Sequence, residues 1–495
     1  MSRFKLASVF ATSLCVLTTS CSTNSSRNPS SEDLSLSQII QEIQAVSDKR
    51  NMTPESCVQS YDNLYQKLFN LAGDSTYYEL NDIDKIDFDI QASFMARIAL
   101  KETFKTFTPE DVCVKSASDV FRGLRYVEDY LIEIRMGKSH DAPAEYVNMA
   151  GVFPYLLVNP KYKDDFKSYE DLKSGDVVLS RGNAFSSAAI ARIGRNDYQF
   201  SHLSFIYKDE EIKETFATQA LIEVGSIVSP IMDVIKGGNS RSVIFRYKDP
   251  QISHSASQFM YERVLKEQLT KKNIEYDFSM NFKDDNKLFC SEIVSRGFKT
   301  VLPDEDYYPM FKSKFSKGLI PFLNTIGVPA NTSNIDTLEV FAPGDIQFDP
   351  RFEIVAEWRN PKKMEDARLK DFILTKMFER MDNEGYKFDP SFKMDAASKA
   401  LWLLRRTPIV KKFLDDKVPL SMNAGQLEMF MALDKVGDAI YKELEKSSLE
   451  YARPMTPKEI YIGLDDFFKE DFELYKRYKK GQDVAKPVFH QLFHP

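Results

Sequence analysis

The sequence predicts an α+β fold in which a small, largely antiparallel sheet sits between two helical regions. Three observations carry this expectation: helical spacing of apolar residues from about 36 to 150, short alternating segments between 175 and 247, and helical spacing again after about 360. Composition is compatible with such a chain, because 43% hydrophobic and 13% aromatic residues over 495 positions can fill the cores of two or three structural units.

The first element is a leader. In "MSRFKLASVFATSLCVLTTSC", Arg3 and Lys5 precede a short apolar run that ends in small residues, the layout of a secretory signal and too short to cross a bilayer. The ending "LTTSC" is similar to a bacterial lipoprotein box, which implies that Cys21 becomes the lipidated first residue of an exported, membrane-anchored protein facing the periplasm or cell exterior. An ordinary cleaved signal and an unprocessed terminus stay open. Residues 22–35, Ser-rich and Asn-rich, read as a flexible tether.

Residues 36–164 form the N-terminal helical region, through "SLSQIIQEIQAV", "SCVQSYDNLYQKLFNLAG" and "ASDVFRGLRYVEDYLIEIRMG". The chain holds five cysteines, and export permits a disulfide between Cys57 and Cys113. That arithmetic leaves Cys290 as an odd thiol, either reactive or buried and inert.

The region 165–360 holds the strands: "GDVVLSRG" (175–182), "HLSFIY" (202–207), "EIKETFA" (211–217) and "RSVIFRY" (241–247), each bounded by Gly, Asn, Asp or Pro. Residues 361–495 are the C-terminal helical region, with "MEDARLKDFILTKMFERM" and "AGQLEMFMALDKVGDAIYKELEK" as its clearest helices. A net charge of −7 without a long basic run argues against a nucleic-acid partner. Phosphate-binding glycine loops, the serine nucleophile elbow and the His-Glu-x-x-His metal motif are missing, so neither a cofactor nor a metal is expected.

Chemistry then rests on two residues. Cys290 begins an amphipathic helix with Ile293, Val294 and Phe298 at helical spacing, and a helix N-terminus favours a thiolate. His202 starts a strand whose faces alternate, with His202, Ser204 and Ile206 on one and Leu203, Phe205 and Tyr207 on the other. A lone strand histidine is most often structural. Beside a thiol it becomes a general base.

The ordered set "SGDVVLSRG", "FSHLSFIY", "KETFA", "YDF" and "LFCSEIVSRGF" resembles the circularly permuted, NlpC-type branch of papain-like cysteine hydrolases, the YiiX/YebB-like group, over roughly 165–315 and as far as 360. The resemblance implies a permuted papain-like core with Cys290 as nucleophile, His202 as base and Glu214 as the group that orients the ring. A three-residue loop at Lys208-Asp209-Glu210 would pair Tyr207 with Glu211 and put Glu214 diagonal to His202, whereas a two-residue loop would flip it away. Tyr276 and Asp277 are candidate substrate-wall residues, or simple turn residues. The function expected is a thiol hydrolase acting on peptide or peptidoglycan-like amides, with lipid esters or amides behind it. A binding scaffold that has lost turnover is the competing class.

Overall fold

A computed structural model describes residues 35–49, 52–74, 79, 82–108, 111–139, 151–235, 238–281, 286–302, 310–390, 392–405 and 422–495. The leader, Cys21, the tether up to residue 34 and His140 lie outside the described residues. Among the described residues, the N-terminal helices are α1 (Leu36–Ser47), α2 (Pro54–Ala72), α3 (Ile83–Thr103) and α4 (Cys113–Ser139). Thr53 and Asp82 cap α2 and α3 by accepting the backbone N–H of Ser56 and Lys85. Cys57 of α2 and Cys113 of α4 are joined by a disulfide with their Cα atoms 5.8 Å apart.

Seven strands build the main sheet: β1 (Leu156–Val158), β2 (Val177–Gly182), β3 (His202–Asp209), β4 (Glu214–Leu221), β5 (Gly225–Pro230), β6 (Asn239–Tyr247) and, last in the chain, a strand at Phe352–Arg359. Between those last two lie the short strands β7 (Glu275–Tyr276), β8 (Lys287–Leu288), β9 (Ser313–Lys314) and β10 (Glu339–Val340), so the Phe352–Arg359 strand is β11. The order across the main sheet is β1-β11-β6-β2-β3-β4-β5, and every neighbouring pair is antiparallel. One face buries Val178, Ile206, Ala217, Ile244 and Trp358 with Phe166 and Leu172.

Along the chain, the helices in this region are α5 (Phe185–Ile190), α6 (Ile231–Ile235), α7 (Pro250–Leu269), α8 (Cys290–Val301) and α9 (Ile320–Ile326). Helix α8 lies against the sheet through Phe298, whose ring meets Phe205 at 5.7 Å, Tyr247 at 4.7 Å and Phe352 at 5.4 Å. The C-terminal helices follow as α10 (Met364–Asn383), α11 (Phe392–Leu404), α12 (Ala424–Ser448) and α13 (Pro457–Lys479). Among the described residues no helix is long and apolar enough to cross a membrane.

Segments 36–164, 165–360 and 361–495 pack as one unit, Leu36–Pro495. A buried ionic network ties them together. Arg97 of α3 bridges Glu128 of α4 and Glu357 of β11, each at 2.6 Å, while Arg125 reaches Glu357 at 2.7 Å. Arg359 meets Glu128 and Asp129, and Arg241 of β6 spans Asp129 and Asp371. Asp371 of α10 also takes Arg181 of β2 at 2.7 Å and Arg192 at 3.0 Å. Burial alone would raise the carboxyls of Glu357 and Asp371, but three guanidinium groups around each hold them well below the ordinary range.

Candidate active site

Cys290 occupies the first turn of α8. Phe289 N–H donates to Glu292 Oε2 at 2.9 Å, so a side chain one turn ahead fixes the residue that precedes the thiol. Glu292 is fully buried, and burial pushes its carboxyl up to about 8 against the opposing pull of the Phe289 N–H and Arg296.

The thiol lies against the start of β3. Its Sγ donates to Ser201 O at 3.8 Å and lies 4.0 Å from Ser291 Oγ. Main-chain N–H groups of Leu203, Ser291 and Cys290 itself also address the sulfur. Ser201 and Leu203 flank His202 in the chain, so the sulfur meets the main chain at the start of β3. No hydrogen bond joins Sγ to the ring in this state. With 3% exposure, burial pushes the thiol up to about 11, and the surrounding N–H and hydroxyl donors only partly offset it.

The imidazole has one partner. His202 Nε2 lies 2.9 Å from Gln219 Oε1, which also accepts from Ser204 Oγ at 3.4 Å, while Gln219 Nε2 donates to Ser229 Oγ at 3.5 Å. An amide oxygen can only accept, so in the neutral ring the proton sits on Nε2 and the lone pair on Nδ1. Burial lowers the His202 pKa, and the bond to Gln219 pulls it part of the way back.

Glu214 does not reach this site. It pairs with Asp209 at the far end of β3 and is exposed, because the hairpin loop runs Glu210–Lys213 rather than Lys208–Glu210. Asp209 Oδ1 accepts the N–H groups of Glu211 and Ile212, and Lys213 adopts a φ of 56°, which together set a four-residue loop. Tyr207 consequently pairs with Phe216 instead of Glu211. The slip is five residues, and the diagonal position expected of Glu214 passes to Gln219. An apolar strand, "FATQAL", with one buried amide in it was the signal available in the sequence.

Tyr276 and Asp277 are brought near Cys290 by the parallel pairing of Tyr276 with Leu288. The Tyr276 side chain is buried, its hydroxyl makes no hydrogen bond among the described residues, and its pKa is raised first by burial and then by the neighbouring Cys290. Asp277 is committed to its own loop: Oδ1 accepts Ser279 N–H and Oγ at 2.8 and 2.6 Å, and Oδ2 accepts Asn281 N–H at 2.9 Å. Both of its oxygens are taken up by this loop. Elsewhere, His254 packs on Tyr207 and His490 bonds Asp471 and Tyr386, both away from Cys290.

Residues 171–333 match the family described as permuted papain-like amidase enzyme, YaeF/YiiX, C92 family. The match spans His202, Gln219, Tyr276 and Cys290 and stops short of both helical flanks. No curated protein and no solved structure matches the chain.

Proposed function

We propose that this permuted papain-like amidase segment works as a cysteine hydrolase in which Cys290 is the nucleophile, His202 the base and Gln219 the residue that positions the base. The observation that carries the reading is the bond from His202 Nε2 to Gln219 Oε1, since it leaves Nδ1 as the basic nitrogen, while Cys290 stands at a helix N-terminus.

The step requires Sγ to come within hydrogen-bond reach of Nδ1. The thiol proton passes to Nδ1, the sulfur attacks an acyl carbon, and the carbonyl electrons move onto oxygen. The main-chain N–H of Cys290 and the Tyr276 hydroxyl are the donors for that oxyanion. Collapse returns the electrons, the C–N bond breaks, and the Nδ1 proton goes to the leaving amine. Water then attacks the thioester, giving its proton to Nδ1, and the acid leaves as the thiol re-forms. Glu292 holds the turn before Cys290 and takes no proton in this scheme.

Peptide amides of the cell wall are the substrate class proposed, for a protein exported and tethered through a lipid on Cys21. The signal-like leader supports export, and the Cys57–Cys113 disulfide suits an oxidising compartment. A second reading, a binding scaffold without turnover, draws support from the buried thiol with its pKa near 11. Incubating wild type and Cys290→Ser with purified peptidoglycan and with phospholipid separates them by product mass. Peptide fragments from wild type alone support the amidase, released fatty acid would move the substrate to lipid, and no product from either favours the scaffold.

A further inference from the structure

The buried network carries more positive charge than negative. Arg359 of β11 lies directly opposite Arg241 of β6, and Arg241 lies directly opposite Arg181 of β2, so three guanidinium groups form a row across the sheet. Arg97, Arg125 and Arg192 pack with this row, and all six arginines are buried. Against them stand Glu128, Asp129, Glu357, Asp371 and, 2.8 Å from Arg192, Asp197. Among the described residues one positive charge is thus left without a carboxylate. A guanidinium does not shed its proton in a protein interior, so the charge stays. The shortfall centres on Arg125, whose single carboxylate, Glu357, is shared with Arg97 and Arg359. Arg125 Nη1 goes instead to neutral acceptors, Gln199 Oε1 at 3.2 Å and Gln347 Oε1. Burial pulls this guanidinium down to about 10, with Glu357 opposing and Arg97 and Arg359 adding to the fall.

Arg125, Arg359 and Arg241 are linked in a closed ring. Glu357 Oε1 accepts Arg125 Nε at 2.7 Å and meets Arg359 Nη2 at 3.1 Å. Asp129 joins Arg359 to Arg241, through Nε at 2.5 Å and Nη1 at 3.2 Å. The Phe200 ring closes the circle, 4.8 Å from the Arg125 guanidinium and 5.9 Å from that of Arg241. Within this ring Arg125 Nη2 and Arg359 Nη1 are buried and make no hydrogen bond among the described residues, and Arg241 Nη1 meets Asp129 only as an ion pair. Buried donors of this kind call for an acceptor. Water would satisfy the N–H groups and leave the charge uncompensated, whereas a monovalent anion answers both needs.

We propose that Arg125, Arg241 and Arg359 hold a single buried halide-class anion, chloride by nature, which supplies the missing negative charge. A dianion such as phosphate would overshoot the deficit. Phe200, which touches two of the three arginines, stands two residues before His202, so the ion steadies the entry to β3. The probe is bromide on the full chain. Crystals grown with sodium bromide as the only halide should show an anomalous difference peak between Arg125 Nη2 and Arg359 Nη1; no peak, or density of water strength only, overturns the proposal. In solution, wild type dialysed into sodium gluconate and titrated with sodium chloride at constant ionic strength should gain about 1 °C in Tm per tenfold chloride. A Tm that does not respond to the exchange overturns it as well. Gln199→Glu puts a carboxylate beside Arg125 in place of the amide, and it should remove both the bromide peak and the chloride dependence. A folded variant that keeps both overturns the charge argument, and the two wild-type measurements decide alone if the variant does not fold. None of these readings needs turnover, so they stand apart from the amidase assay.

Discussion

Replacing Gln219 by Glu puts a carboxylate where an amide oxygen now lies 2.9 Å from His202 Nε2. Two opposite charges about 4 Å apart interact by about 4 kcal/mol at the effective dielectric of a protein surface, equivalent to about three pKa units. Burying the new carboxylate opposes this, so the expected outcome is a net rise in the His202 pKa. In wild type the same pKa lies below its ordinary value, because burial outweighs the Gln219 bond. Gln219→Leu removes that bond and should lower it further. Imidazole titration by NMR, with His202→Ala to assign the resonance, reads both shifts. Linkage gives a second reading with opposite signs. In wild type the His202 contribution to stability is present above the unfolded value near 6.5 and lost as pH falls through the lowered folded pKa; where Gln219→Glu carries the folded pKa above 6.5, the contribution is present below 6.5 and lost as pH rises through that raised pKa. A thiol near pKa 11 is ionised in roughly one molecule in ten thousand at pH 7, so an imidazolium held beside it should speed alkylation at neutral pH in the Glu variant. The reasoning is refuted if both variants move His202 in the same direction, or if neither moves it.

Four other outcomes follow from the same geometry. Cys290→Ser should abolish hydrolysis while changing stability by no more than about 1 kcal/mol, checked by calorimetry beside the peptidoglycan assay. Asp371→Asn removes the counter-charge of Arg181, Arg192 and Arg241 and should cost about 3–5 kcal/mol, seen as a lower urea midpoint. Removing the disulfide with Cys57→Ala and Cys113→Ala opens a loop with a sequence separation of 56 residues, which should cost about 4 kcal/mol; equal melting temperatures with and without reductant would count against it. Cys21→Ser should move the protein from the membrane fraction to the soluble one, and a variant that stays with the membrane removes the lipid anchor from the proposal.

The parts of the site that were legible in the sequence are those fixed by short-range pattern. The helix start at Cys290 is written in Ile293, Val294 and Phe298, and the strand at His202 in the alternation of six residues. The partner of His202 was not legible, because its identity depends on how β3 and β4 align. That alignment is decided elsewhere, by Asp209 capping the turn and Lys213 entering the left-handed region. A slip by an odd number of residues exchanges the faces of a strand, so a loop misjudged at one end moved the partner from Gln219 to Glu214. The diagonal geometry itself was sound.

The ionic network was hidden for a different reason. Arg97, Arg125, Arg181, Arg241 and Arg359 come from five separate elements, and nothing in local spacing distinguishes an arginine that will be fully buried from one that covers a surface. Once seen, the network changes how the flanking helices are understood. Glu128 and Asp129 of α4 neutralise Arg359 and Arg241 of the sheet, and Asp371 of α10 shares Arg241 and also neutralises Arg181 of β2 and Arg192. Cutting away either flank would leave those arginines buried without counter-charge, which costs more than losing an apolar contact of the same size. The helical flanks therefore behave as parts of the hydrolase core rather than as detachable pro-segments, and any opening of the site must come from an element outside this network.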